Sequence, residues 1–171
     1  MGPRRLELPP GKAGGVLLHA MPGRARPWPE DAAELSALGV ACVLRLTSDQ
    51  ETGKYSPHYL EAIRRGLLPW EEIHLPMPDY GIPTDGPRFL EVLGLVGERL
   101  ASGQLVLIHC AAGIGRTGTV ATALLMSLGL DRNEASRRVG QAGSHAEDPR
   151  QVSFLDALAG DLARLSSRRP A

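Results

Sequence analysis

An α/β domain, built on a central, mostly parallel sheet of about four to five strands flanked by helices, is the fold class this sequence predicts. Two observations carry that prediction. Short apolar runs, Val40 to Leu46 and Leu105 to Ile108, have strand length and are separated by stretches of helical period. The total length, 171 residues, suits one domain with its own core.

Taken in order, residues 1–15 are rich in Pro, Gly and Arg, show neither period, and read as a loose N-terminal arm. The domain is expected over 16–166, with a tail at 167–171. Val16 to Leu18 suits a first short strand. The Met21-Pro22-Gly23 turn then leads into a helix across Glu30 to Leu38, with Gly39 closing it. Val40 to Leu46 reads as a buried strand that ends at Thr47, Ser48 and Asp49. Ser56-Pro57 opens an amphipathic helix to Arg65, stopped at Gly66. Trp70 to Leu75 alternates as a further strand. After a proline-rich loop from Pro76 to Pro87, Phe89, Leu90, Leu93, Val96 and Leu100 recur at helical spacing. Leu105 to Ile108 is a wholly apolar strand. Thr119 to Leu128 is an almost wholly apolar helix, which places it at the centre of the fold. Helices at about Asn133 to Gln141 and Pro149 to Leu165 complete the chain.

Charge and composition narrow the function. The 19 basic and 19 acidic residues cancel, so no global field draws the chain to nucleic acid or to an anionic membrane, and any anion site is local. With two cysteines, Cys42 and Cys110, there is neither a disulfide framework nor a zinc spacing, which points to a reducing compartment and no metal. The apolar run from Val16 to Ala20 is too short for a secretory signal, and Leu6 stands where an N-myristoylation site needs Ser or Thr. A cytoplasmic monomer is the simplest expectation. Basic residues are nearly all arginine, with lysine only at Lys12 and Lys54, a bias that a GC-rich bacterial genome explains.

The chemistry concentrates where the strand at Leu105 runs into His109-Cys110-Ala111-Ala112-Gly113-Ile114-Gly115-Arg116-Thr117-Gly118. Ligands of open α/β sheets bind beyond the carboxyl ends of strands, and a helix N-terminus offers unpaired N–H groups to an anion. Gly113, Gly115 and Gly118 let the backbone curl, so that the N–H groups of Ala111, Ala112, Gly113, Ile114, Gly115 and Arg116 can form a nest around phosphate oxygens. Those donors, the helix dipole and a nearby guanidinium favour negative charge on the Cys110 sulfur, making it a nucleophile. Arg116, at the first turn of the helix, can fork onto two phosphate oxygens, which a lysine cannot do. Thr117 can set its hydroxyl against the sulfur and ease its departure from a phosphocysteine. A nucleotide-binding loop would want lysine before Ser or Thr at the helix start, which this chain lacks. A buried, inert cysteine at a strand end is the plain alternative for Cys110.

By these residues the chain resembles the cysteine-dependent protein tyrosine phosphatases, whose signature of His-Cys, five residues, Arg, then Ser or Thr is complete here. The resemblance is closest to the small, single-domain dual-specificity (atypical) phosphatases. It implies hydrolysis of phosphate monoesters without cofactor or metal, on protein phosphotyrosine and also on phosphoserine or phosphothreonine. It also implies a supporting role for His109, through hydrogen bonds to the loop.

A departing alkoxide or phenoxide needs a proton, and a mobile carboxylate would supply it. Pro78-Asp79-Tyr80-Gly81-Ile82-Pro83 looks like the general-acid loop of that family, with Asp79 as the acid and Met77 where a tryptophan often stands. Asp85, in the same loop, more naturally caps the following helix. Gln151, followed by Phe154, resembles the glutamine that positions water in some members; the alternative is an exposed glutamine at a helix start. Cys42 reads as packing, and Arg45 as ending near the carboxyl edge of the sheet without a catalytic role.

Ala111, Ala112 and Ile114 put no basic residue in the variable places of the cradle, which disfavours highly charged substrates such as inositol polyphosphates. Other non-protein esters, an RNA 5′-phosphate or a metabolite among them, remain the alternative substrates. A non-catalytic phosphoprotein-binding module is the rival from another class, and it is weakened by the presence of cysteine, arginine and acid together.

Overall fold

Residues 2–167 are described by a computed structural model. Five strands form one sheet in the order β1-β2-β5-β3-β4. They are β1 (Arg4–Leu6), β2 (Gly15–His19), β3 (Val40–Arg45), β4 (Glu71–His74) and β5 (Leu105–His109). The pairs β2–β5, β5–β3 and β3–β4 are parallel, and only β1 runs antiparallel, along β2. The sheet is therefore mostly parallel, as the alternation of elements predicts.

The N-terminal arm is corrected. Arg4 to Leu6 pairs with Val16 to Leu18, and Leu6 is 2% exposed. Three residues between prolines and glycines leave too short a stretch for any period to show.

Helices cover both faces. On one lie α1 (Trp28–Ala37) and α3 (Pro57–Arg64), whose Leu35 and Tyr59 pack with Val43 and Leu107 of the sheet. On the other lie α4 (Gly86–Ala101), α5 (Gly115–Ser127), α6 (Arg132–Gln141) and α7 (Pro149–Ser167), packed on Val106 and Ile108. Successive residues of β5 thus serve opposite layers, the alternation a pleated strand imposes. Every residue of α5 from Gly115 to Met126 is buried, which agrees with its apolar sequence and central place. Asp85 caps α4, its Oδ1 accepting from the Arg88 N–H at 2.9 Å.

One helix has no counterpart in the sequence reading. α2 (Asp49–Tyr55) follows β3 at once, with Ser48 as N-cap accepting from the Glu51 N–H at 3.1 Å. Only Thr52 of it is buried, so it shows no apolar stripe. Its anchor is polar: the buried Arg45 reaches from the end of β3 to Asp49 and Thr52 of α2 and to Glu72 of β4. Of the expected tail, all but Ser167 lies outside the described residues.

Candidate active site

β5 is the central strand, and its last residue, His109, delivers the chain to the carboxyl edge of the sheet. Cys110 follows, 3% exposed, and the loop turns into α5 at Gly115. The neighbouring strands hold this loop through main-chain bonds: Leu46 N–H donates to His109 O at 3.0 Å, and Met21 N–H to Ala111 O at 3.2 Å. Gly113 sits at φ +74, and a Cβ there would lie 2.3 Å from the His19 carbonyl oxygen. At Gly118 a Cβ would lie 2.4 Å from the His145 N. Neither position admits a side chain, so these glycines let the loop and the start of α5 close against the backbone beside them. The Gly113 N–H donates to Cys110 Sγ at 3.2 Å, the first element of a nest around the sulfur.

Arg116, 2% exposed, is held in a fixed pose. Its Nη1 and Nη2 donate to the two carboxylate oxygens of Glu51 at 2.7 and 2.6 Å, and Nη1 also reaches Met77 O at 3.1 Å. Asp79 Oδ1 lies 3.1 Å from Nη2. Burial opposes the charge of this guanidinium, but the bonds from Glu51 and the charges of Cys110, Glu51 and Asp79 outweigh it and raise its pKa above the ordinary arginine value. Glu51 escaped the sequence reading because it sits on the helix that the reading missed.

Asp79 stands at the mouth, its side chain 70% exposed, on a loop where Tyr80 adopts φ +53. The two carboxylates and Arg116 face Cys110 across a cleft of about 160 Å³, whose rim carries Arg24, Tyr55, Tyr80 and Glu147. The Arg24 guanidinium lies over the Tyr55 ring at 4.9 Å. Met77, which stands where the resembled family often has a tryptophan, is 3% exposed and packs in the core.

His109 is wholly buried, and burial drives its pKa from 6.5 down to about 3 against the hydrogen bond to Cys110 O, with the charges of Arg45, His19 and Arg116 lowering it further. It is therefore neutral. Its Nδ1 lies 3.1 Å from Cys110 O, and a carbonyl only accepts, so the ring proton is on Nδ1. Nε2 can then only accept, and the Tyr59 hydroxyl lies 3.2 Å from it and 3.4 Å from Glu72 Oε2, so one phenolic proton is shared between the two acceptors. Burial, with Glu72 nearby, raises the Tyr59 pKa well above its ordinary value and keeps that proton in place. His109 thus ties the cysteine peptide to the opposite helix layer.

Two expected residues are placed differently. The Thr117 hydroxyl is buried without a hydrogen-bond partner, so it is not bonded to Sγ. Gln151 is not the exposed glutamine of the alternative reading: it is 0% exposed, its Nε2 donates to Gly81 O at 3.0 Å and its Oε1 accepts from Glu147 N–H at 2.9 Å. It straps the loop of Asp79 to the segment carrying Glu147. Burial raises the Cys42 thiol to about 11, which agrees with a packing role. Among the described residues no group of three His, Cys, Asp or Glu could hold a metal ion, and no helix is long and apolar enough to cross a membrane.

Known proteins are similar to this chain. Tyrosine-protein phosphatase non-receptor type 2 of Rattus norvegicus is 36% identical over 123 residues, covering 64% of this chain and 29% of that protein. The matched curated relatives are spanned over only 5% to 46% of their own length. Among solved structures, Tk-PTP in its active form is 33% identical, covers 94% of this chain and 99% of its own, and superposes with a TM-score of 0.70. Kinase associated phosphatase, with its catalytic-site cysteine replaced by serine, reaches a TM-score of 0.83 at 23% identity, over 95% and 96% of the two chains, and shows the shared fold. The family model PTP-SAK (Swiss Army Knife protein, DSP-PTPase phosphatase domain) matches residues 18–159, most of the chain and all of the cysteine loop, and this chain belongs to that family of phosphatase domains within the cysteine-dependent phosphatase superfamily.

Proposed function

We propose that this chain hydrolyses phosphate monoesters through a covalent phosphocysteine, acting on protein phosphotyrosine and also on phosphoserine or phosphothreonine. One observation carries the reading: Cys110 Sγ lies at the floor of a cleft with a loop N–H directed at it, and the same cleft holds the forked Arg116 and the carboxyl of Asp79.

In the first step the Cys110 thiolate attacks phosphorus, the bond from phosphorus to the ester oxygen breaks, and the departing oxygen takes a proton from Asp79. Loop N–H groups and Arg116 hold the equatorial oxygens, with Arg116 Nη2 turning from Asp79 to the phosphate. In the second step water attacks phosphorus, its proton passes to Asp79, and the P–S bond breaks to return the thiolate and release phosphate. The unpartnered Thr117 hydroxyl is free to donate to the sulfur as charge returns to it. The rim supports a singly phosphorylated aromatic substrate, because Tyr55 and Tyr80 flank the cleft while Glu51, Asp79 and Glu147 disfavour additional phosphates.

Hydrolysis of an aryl phosphate in the presence of a chelator, compared with Cys110→Ser, tests the chemistry; turnover no better than this variant's would overturn it. Asp79→Ala should slow esters with poor leaving groups most, and equal rates across leaving groups would remove Asp79 as the acid. Trapping phosphoproteins from cell extract with Cys110→Ser tests the substrate class.

A further inference from the structure

The carbonyl of Gly113, in the middle of the phosphate loop, accepts hydrogen bonds from two donors that lie far from it in sequence. Arg4 Nη2, from the edge strand β1, reaches it at 2.6 Å, and the buried Ser144 Oγ reaches it at 2.7 Å. Arg4 Nη1 meanwhile bonds Gly143 O, so one guanidinium spans the loop and the segment that carries Ser144. A trans peptide is planar, and its C=O and N–H point in opposite directions. A carbonyl drawn outward by two donors therefore turns the N–H of the next residue, Ile114, away from Arg4 and Ser144.

We propose that Arg4 is a positioning residue of this active site: with Ser144 it pins the Gly113–Ile114 peptide so that the Ile114 N–H faces the phosphate. The proposal rests on the phosphatase reading above. It gives β1 a task that its three residues of pairing do not by themselves explain. Without these donors the peptide could rotate through ψ of Gly113 and φ of Ile114, and a glycine leaves the first of these two bonds free of Cβ hindrance. The cradle would then present a carbonyl oxygen, with its partial negative charge, where the anion needs a donor.

The electrostatics agree with the geometry. Partial burial lowers the pKa of Arg4, while the charge on Cys110 raises it. The guanidinium therefore lies near enough to the sulfur across the loop to feel a charge there. Its task is distinct from that of Arg116, which bonds Glu51 and Met77 O and lies on the substrate side of the loop.

The test is inorganic phosphate binding, followed by the backbone amide signals of the loop in 1H–15N spectra, for wild type, Arg4→Ala, Arg4→Lys and Ser144→Ala. Loss of a charge-assisted hydrogen bond should weaken phosphate about tenfold in Arg4→Ala, and by less in Ser144→Ala, where a neutral donor is lost. The signature is the Ile114 amide, whose phosphate-induced shift should shrink in both variants while those of Ala112 and Arg116 persist. Arg4→Lys, whose single ammonium cannot fork to two carbonyls, should recover only part of the affinity. Unchanged phosphate affinity with an intact Ile114 shift in Arg4→Ala would overturn the inference. So would a uniform loss of all loop shifts together with a lowered melting temperature, which marks a merely structural residue. Failure of wild type itself to bind phosphate or turn over an aryl ester would instead overturn the phosphatase reading.

Discussion

Glu51→Gln is the substitution that most directly probes how Arg116 is poised. The carboxylate of Glu51 meets Arg116 through two bonds of 2.7 and 2.6 Å, and the partners' side chains are 18% and 2% exposed. Glutamine keeps the shape and one acceptor, but it loses the charge and turns an amide N–H₂ towards a guanidinium that has only donors. A hydrogen bond to a charged group contributes about 1.5–3 kcal/mol. Met77 O remains on the guanidinium, so the lower part of that range applies, about 1.5–2 kcal/mol favouring the docked pose. At 1.36 kcal/mol per tenfold, kcat/KM for an aryl phosphate should fall by roughly 10- to 30-fold. The assay is steady-state hydrolysis, with inhibition by inorganic phosphate and a thermal melt measured alongside. The opposite outcome has a clear meaning. If Glu51 merely neutralises Arg116, its loss frees positive charge for the substrate, and both kcat/KM and phosphate affinity rise; that result would refute the positioning argument.

Thr117→Val removes a buried hydroxyl that has no partner while keeping its volume, so the melting temperature should hold or rise. Phosphocysteine breakdown should slow, seen as a burst of product in rapid-mixing kinetics, and the absence of any burst would exclude Thr117 from that step. The depressed pKa of His109, about 3 against 6.5, means that the unfolded chain binds a proton before the folded one does as pH falls. Stability should accordingly be lost between about pH 6.5 and 3, with up to about 1.36 kcal/mol per pH unit from this group. His19, also lowered by burial, adds loss of the same sign. Urea midpoints against pH for wild type and His109→Asn would check this, and parallel curves would contradict it. Cys42, fully buried with its thiol raised to about 11, should resist iodoacetamide at neutral pH. Mass spectrometry of native Cys110→Ser should therefore show no adduct, and rapid labelling of Cys42 would show that the core opens.

How much of this protein can be read from its residues depends on how local each feature is. Apolar runs of strand or helix length locate β3, β5 and α5, whose residues are almost all buried, while alternation locates β4 and helical spacing locates α3 and α4, because a half-buried element writes its exposure pattern into consecutive residues. The same logic fails for α2, of which only Thr52 is buried, and for β1, three residues long. The alternation of strands and helices is enough to place a parallel sheet with the cysteine loop at its carboxyl edge.

The sequence by itself determined where Cys110, Arg116 and the loop glycines fall between strand and helix, since a loop that curls between one strand and the next helix is contiguous in sequence. Only the tertiary structure decided what holds them. Glu51 meets Arg116 across 65 positions and Arg4 meets Gly113 across 109, while Gln151 reaches Gly81 across 70. Such pairs are made by the crossover of strands and the packing of helices, which bring side chains together through space. An isolated Glu, Arg or Gln shows the same surroundings in sequence whether it ends in solvent or at an active site.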